Sequence, residues 1–251
     1  MRASRCDAVL FDLDGVLTDT SAVHERAWRR LFTDLFSSYT AMDAGITPYS
    51  SGDYFTYIDG KPRAAGVSAV LASRRIELPV GQPDDGPTSL TVYGLGNKKN
   101  EMFLRMLGDD GARAYPGATE VLEWLDDHAI PKGVVSSSRN AEVVLRATGL
   151  LDKIDTVVDG ISASEIGLAG KPAPDTYLCA AERLSARPAR TVVVEDASSG
   201  VQAGRAGGFW VVGIDRGAGR QELLRNGADV VIDELCELFA NDRMRQPSRP
   251  D

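Results

Sequence analysis

The chain has 251 residues, 25% of them charged and 43% hydrophobic, a globular balance that excludes a disordered or fibrous polypeptide. Its formal net charge of −8 excludes the basic footprint of a nucleic-acid binder and sets it against an anionic membrane surface. A chain of this size buries roughly 70% of its unfolded surface, so its core needs no disulfide or structural metal. Cys6, Cys179 and Cys236 are too scattered for a disulfide framework or a zinc site. No apolar run reaches the roughly 20 residues of a membrane span. Residues 1–7 lack the apolar stretch of a signal peptide, and the expected compartment is the cytosol.

Short valine-rich runs recur at residues 8–11, 133–135, 156–158, 191–194, 211–214 and 229–232. They are apolar on both faces, as buried parallel strands are. Amphipathic stretches at 118–128, 141–148, 174–184 and 199–206 separate them. Strands alternating with helices predict right-handed βαβ units and a doubly wound, mostly parallel α/β sheet of Rossmann-like form. The alternation breaks after the first strand. Residues 23–36, 66–76 and 100–107 have helical spacing, and Leu78–Pro87 is rich in Pro, Gly and Asp and reads as a loop. The expected organisation is a core from residues 1–20 and 109–240, an inserted helical cap from 21–108, and a flexible tail from 241–251.

The most informative segment is Phe11-Asp12-Leu13-Asp14-Gly15-Val16-Leu17-Thr18-Asp19-Thr20. On a strand Asp12 and Asp14 point to the same side, about 7 Å apart. They fall where the first strand ends, and open α/β sheets bind ligands beyond the carboxyl ends of their strands. A second acidic pair, Glu195-Asp196, directly follows the 191–194 strand. Like charges 4 Å apart at an effective dielectric of 20 repel by about 4 kcal/mol, so acidic pairs at one sheet edge call for a shared cation. Asp and Gly are also common turn residues. Two acidic pairs, each directly after a core-type strand, favour the cation reading, and oxygen donors with waters suit Mg²⁺.

Two other strand ends carry complementary chemistry. Ser136-Ser137-Ser138-Arg139-Asn140 offers hydroxyls and N–H groups ahead of a helix, which suits a phosphate. Gly170-Lys171-Pro172-Ala173-Pro174-Asp175 offers a lysine as a point charge. Four carboxylates and a phosphate outweigh one lysine and one divalent ion, so a further Arg or Lys from the insertion is expected.

These motifs resemble, in order and spacing from Cys6 to about Glu234, the four motifs of the haloacid dehalogenase superfamily. The insertion resembles the small cap of its β-phosphoglucomutase subfamily. The resemblance implies that Asp12 is a nucleophile forming an aspartyl phosphate and Asp14 the general acid/base. It implies that Asp12, the Asp14 carbonyl, Asp196 and Glu195 (as ligand or neighbour) hold Mg²⁺, and that Ser136 and Lys171 neutralise the transferred group. Thr18 is expected beside Asp14 and is grouped with the phosphate-binding residues. Within Asp19 to Trp28, His24 resembles the acid/base helper on the first cap helix. Arg63 of Gly60-Lys61-Pro62-Arg63 resembles a clamp on the distal phosphate, and Lys99 of Asn97-Lys98-Lys99-Asn100 the sugar-recognition lysine. Ser136, Ser137, Arg139 and Asn140 resemble a Ser-x-Ser-Lys-Asn site with Arg for Lys. Leu78–Thr88 is extra sequence relative to compact members.

The implied activity is conversion of β-D-glucose 1-phosphate to glucose 6-phosphate through glucose 1,6-bisphosphate, with a sugar-phosphate phosphatase as the alternative. A phospho-accepting signalling domain fits poorly, since such domains lack the second Asp and a cap. The expected partner is a small sugar phosphate; the chain is read as a monomer without nucleic-acid, membrane or protein partners.

Overall fold

Ala8–Phe11, Lys132–Val135, Thr156–Val158, Thr191–Glu195, Trp210–Ile214 and Val230–Ile232 form strands β1 to β6 of one all-parallel sheet in the computed structural model. The structure describes residues 6–40 and 45–240, so the expected tail at 241–251 lies outside it. The strand order is β3-β2-β1-β4-β5-β6. Every residue of β1, β2 and β4 is buried, which explains the unbroken apolar runs. The order turns back on itself between β1 and β4, which flank one another in register with Phe11 opposite Val194. This is the switch point where ligands of doubly wound sheets bind. The residues following Phe11 and Val194 are the two acidic pairs.

The described chain forms two compact units, one running to Asp19 and resuming at Ala112, the other spanning Thr20–Gly111. The second unit is helical. Its long helices are Ser21–Thr40, Arg63–Ser73 and Val92–Asp110, around a core that includes Trp28, Phe32, Phe36, Tyr54, Val67 and Leu95. All three extend beyond the expected spans at their N-terminal ends. Thr91 explains one case: its side chain accepts from the Gly94 N–H at 3.0 Å, so the helix starts at Val92 despite Gly94 and Gly96. A short helix at Ser51–Asp53, continuing as a π-helical turn over Tyr54–Ile58, was not expected. Asp53 there accepts from both terminal nitrogens of the Arg74 guanidinium at 2.6 Å, a buried pair lying over Phe36. Residues 74–91 hold no helix or strand: the expected loop at 78–87 lies among them, whereas the helix expected to reach Ile76 stops at Ser73. Among the described residues no helix is long and apolar enough to cross a membrane.

Candidate active site

Lys171 lies at the centre of the first unit's polar cluster. Its Nζ donates to Asp12 Oδ1 at 2.5 Å, to Glu195 Oε1 at 2.6 Å and to the Val135 carbonyl at 3.0 Å. Three strand ends, β1, β2 and β4, thus meet at one ammonium group. The sheet register makes this possible: the Asp12 N–H donates to the Val194 carbonyl at 3.0 Å, so Asp12 ends level with Glu195.

Electrostatics follow from burial. Removal from water pushes the Asp12 carboxyl upward and the Lys171 ammonium acts against it, with Glu195 and Asp14 adding to the upward push. For Lys171 burial favours the neutral amine, but Asp12 and Glu195 outweigh it and raise the group above its ordinary value. With three acceptors around one nitrogen, the lysine is charged and the Asp12–Lys171 pair is ionic.

Glu195, expected as a metal ligand or as a neighbour of the metal, is turned inward. Its Oε1 also accepts from the Tyr177 hydroxyl at 2.8 Å and its Oε2 from the Ala197 N–H at 3.1 Å. It is fully buried and faces Lys171, so its place is that of a lysine-positioning group. Burial, and then Glu195 itself, raise Tyr177 well above the usual phenol value, which keeps its proton available for this bond.

Asp196 lies against the turn after β1. Gly15 adopts φ +96°, a conformation that favours glycine, and a Cβ there would stand 1.9 Å from Asp196 Oδ2. Asp196 therefore lies against the chain immediately after Asp14. Thr18 closes the turn: its amide and hydroxyl both donate to the Leu13 carbonyl, at 3.0 and 3.1 Å, and its carbonyl accepts from Gly15 at 2.8 Å. Thr18 is fully buried, and its hydroxyl braces the loop beside Asp14.

Ser136 Oγ points at Asp14 Oδ2 at 3.5 Å and accepts from the Ser138 N–H at 3.1 Å. Asn140 is buried and its N–H bonds to Ser138 Oγ at 3.1 Å, whereas Ser137 is half-buried and Arg139 exposed.

Among the described residues no three His, Cys, Asp or Glu side chains group into a metal-binding cluster on their own. With Glu195 drawn to Lys171, the available set is Asp12, Asp196 and main-chain carbonyl oxygen of the Asp14 turn. A surplus of buried carboxylates over one lysine, with few side-chain donors, fits a hard divalent cation that retains several waters.

His24, Arg63 and Lys99 belong to the second unit. Lys99 Nζ contacts His24 Nδ1 at 2.5 Å and lies over the rings of Trp28 and Phe103; His24 stacks on Phe103 with centroids 4.0 Å apart. With the lysine ammonium as donor, Nδ1 is the acceptor in this contact. Arg63 donates to Asn97 Oδ1 at 3.4 Å and Asn100 Oδ1 at 2.8 Å.

Three residues of the first unit escaped sequence reasoning. Tyr177 orients Glu195. Gly200, inside a helix where alanine is preferred, leaves the space that Glu195 occupies. Arg216 donates to the Gly15 carbonyl at 3.3 Å and stacks over Tyr115. Only the glycine carried a signal, as a position without a side chain in the first turn of a helix.

The family description of haloacid dehalogenase-like hydrolases matches residues 6–208, and the chain belongs to that family, in its β-phosphoglucomutase-like branch. A β-phosphoglucomutase of Mycobacterium bovis is 48% identical over 239 residues, 92% of this chain and 91% of the relative. A fructose-1-phosphate phosphatase of Escherichia coli is 31% identical over 84% of this chain and 97% of its own length. The crystal structure of a β-phosphoglucomutase from Clostridium difficile matches with a TM-score of 0.73 at 25% identity, covering 95% of both chains. A divalent metal is the cofactor of this family.

Proposed function

We propose that the chain is a β-phosphoglucomutase, converting β-D-glucose 1-phosphate to glucose 6-phosphate. The observation that carries this is the 48% identity to a β-phosphoglucomutase across nearly the full length of both chains. The meeting of Asp12, Lys171 and Glu195 supports it chemically.

Lys171 holds Asp12 Oδ1, and attack on phosphorus falls to Oδ2. In the working cycle Asp12 carries the phosphoryl group. Asp14 takes the proton from the 6-hydroxyl of β-glucose 1-phosphate as that oxygen attacks, the bond to Asp12 breaks, and the bisphosphate forms. After the bisphosphate turns round, Asp12 attacks the phosphoryl group on C1, Asp14 returns its proton to the leaving oxygen, and glucose 6-phosphate departs. Ser136 and Lys171 offset charge on the transferred group. Mg²⁺, held by Asp12, Asp196 and the Asp14 carbonyl, supplies charge neutralisation when bound. Arg63 takes the phosphate that stays on the sugar, and Lys99 and His24 serve the sugar and its proton transfers. Water must be kept from the aspartyl phosphate, and that separates a mutase from a phosphatase. The reaction belongs in the cytosol, where Cys6, Cys179 and Cys236, all free, stay reduced.

The test supplies β-glucose 1-phosphate, Mg²⁺ and trace bisphosphate. Glucose 6-phosphate is the expected product. Asp12→Asn should form no phosphoenzyme, and Asp14→Asn should lower turnover by about 10³-fold. The second reading, a small sugar-phosphate phosphatase, is favoured by the similarity to the Escherichia coli enzyme; free phosphate as the main product would establish it.

A further inference from the structure

Residues 74–91 are irregular by secondary structure yet tightly held. Asp85 Oδ2 accepts from the Gln82 N–H at 3.1 Å and the Thr91 hydroxyl at 2.5 Å. The Pro79 and Val80 carbonyls accept from the Val92 and Tyr93 N–H groups at 2.9 and 3.1 Å, so the loop caps the first turn of the Val92–Asp110 helix. One helix turn further, Asn97 grips the loop from the other side. Its Nδ2 donates to the Pro83 carbonyl at 3.1 Å and the Asp85 carbonyl at 2.8 Å.

The same amide faces Arg63 with its oxygen. Asn97 Oδ1 and Asn100 Oδ1 receive the two terminal nitrogens of the guanidinium. The stem of Arg63 lies on Gly96, where a Cβ would come within 3.1 Å of Arg63 Cδ. The amide orientation follows from the chemistry: an oxygen must face a guanidinium, which only donates, and an NH₂ must face two carbonyls, which only accept. Asn97 is thus the joint between the loop and Arg63.

We infer that the 78–90 loop is a buttress for substrate recognition, and that Asn97 and Asp85 are positioning residues that aim Arg63 at the sugar phosphate. The inference rests on the reading of Arg63 as the clamp for the phosphate that stays on the sugar. Holding a guanidinium in place before substrate arrives lowers the ordering cost of binding, so the effect belongs in KM more than in kcat.

The experiment compares wild type, Asn97→Ala, Asn97→Asp, Asp85→Asn and Arg63→Ala in steady-state turnover of β-glucose 1-phosphate with Mg²⁺ and trace bisphosphate. Amide hydrogen exchange over residues 79–93 is measured alongside. Arg63→Ala should raise KM by roughly 100-fold, the upper end for a bond to a charged group. Asn97→Ala should raise it about five-fold, with a smaller change in kcat and faster exchange in the loop. Asn97→Asp is the discriminating variant. It keeps an acceptor for Arg63 but turns a carboxylate oxygen on the Pro83 and Asp85 carbonyls. A raised KM with the faster loop exchange of Asn97→Ala supports the role of the loop; a wild-type KM, or a raised KM with wild-type exchange, which the new charge beside Arg63 accounts for, overturns the inference. Should both Asn97 variants fail to fold, Asp85→Asn carries the test, because it loosens the loop without touching Asn97. Its KM should rise two- to three-fold, roughly the loss of one hydrogen bond, and an unchanged KM overturns the inference. If Arg63→Ala alone moves KM, the loop has no such role while the clamp reading stands. If Arg63→Ala leaves KM unmoved, both fall.

Discussion

The carboxylate of Glu195 fills the space in which a side chain at Gly200 would begin, with Oε1 lying 1.6 Å from where that Cβ would stand. In an open helix, alanine would be favoured over glycine by about 1 kcal/mol. Here it would push Glu195 away from Lys171 and Tyr177. Gly200→Ala should lower kcat by about 100-fold, the scale of losing an aligned electrostatic group. It should also destabilise the fold by about 2 kcal/mol, despite better helix propensity. Steady-state kinetics and a thermal melt check both, and a more stable, fully active variant would contradict this packing.

Lys171 is 2% exposed and Glu195 fully buried, so neither tolerates loss of the other. Glu195→Ala leaves Lys171 short of one of its two carboxylate partners; Lys171→Ala leaves Asp12 and Glu195 facing each other without a cation. Each single variant should lose about 3–5 kcal/mol of stability. The double variant should lose less than the sum, with a coupling of about 1–3 kcal/mol in a urea-denaturation cycle. Strict additivity would show that the two groups do not act as a pair.

Arg216 ties the loop after β1 to the far strands. It donates to the Gly15 carbonyl at 3.3 Å and to the Asp233 carbonyl at 3.0 Å, and its guanidinium carbon lies 4.2 Å from the Tyr115 ring centroid. A lysine keeps the charge but has neither the flat stacking surface nor the fork. Arg216→Lys should lower kcat by about ten-fold, with KM changed less, because the Asp14–Gly15 turn loses its brace. Wild-type kinetics in that variant would remove Arg216 from the positioning set.

Acid sensitivity has a nameable source at the other end of the sheet. Asp7 accepts from Arg187 at 2.7 Å and from Arg190 at 2.8 Å, and Arg187 first, then Arg190, hold its carboxyl down at about 2 instead of 3.8. A lowered folded-state value means the contribution is complete above pH 3.8 and is lost as the pH falls toward 2. Asp7→Asn should therefore show a shallower loss of stability across that window, measured by denaturant titration at successive pH values, and no difference in slope at neutral pH.

The strands were legible because each is a short valine-rich run buried on both faces, and the acidic pairs because they directly follow two such runs. Ends were less legible. β4 runs on to Glu195, since that side chain, though charged, is buried against Lys171. The helix before Asp110 begins at Val92, well ahead of its apolar periodicity, because the Thr91 side chain and the loop carbonyls satisfy its first turn. Arg63 was visible as a candidate, but not Asn97 as its support, because an asparagine at a helical position has no pattern that names its partners.

By itself the sequence determined the class of sheet, the edge at which the chemistry gathers and the residue types available there, because strand burial and the carboxyl-end rule depend on short local patterns. Only the tertiary structure decided that Glu195 faces Lys171, that Asp196 lies against Gly15 and that Asn97 joins a loop to Arg63. Those choices depend on which groups, distant along the chain, compete for one buried cation or one shared space, and local patterns do not encode that competition.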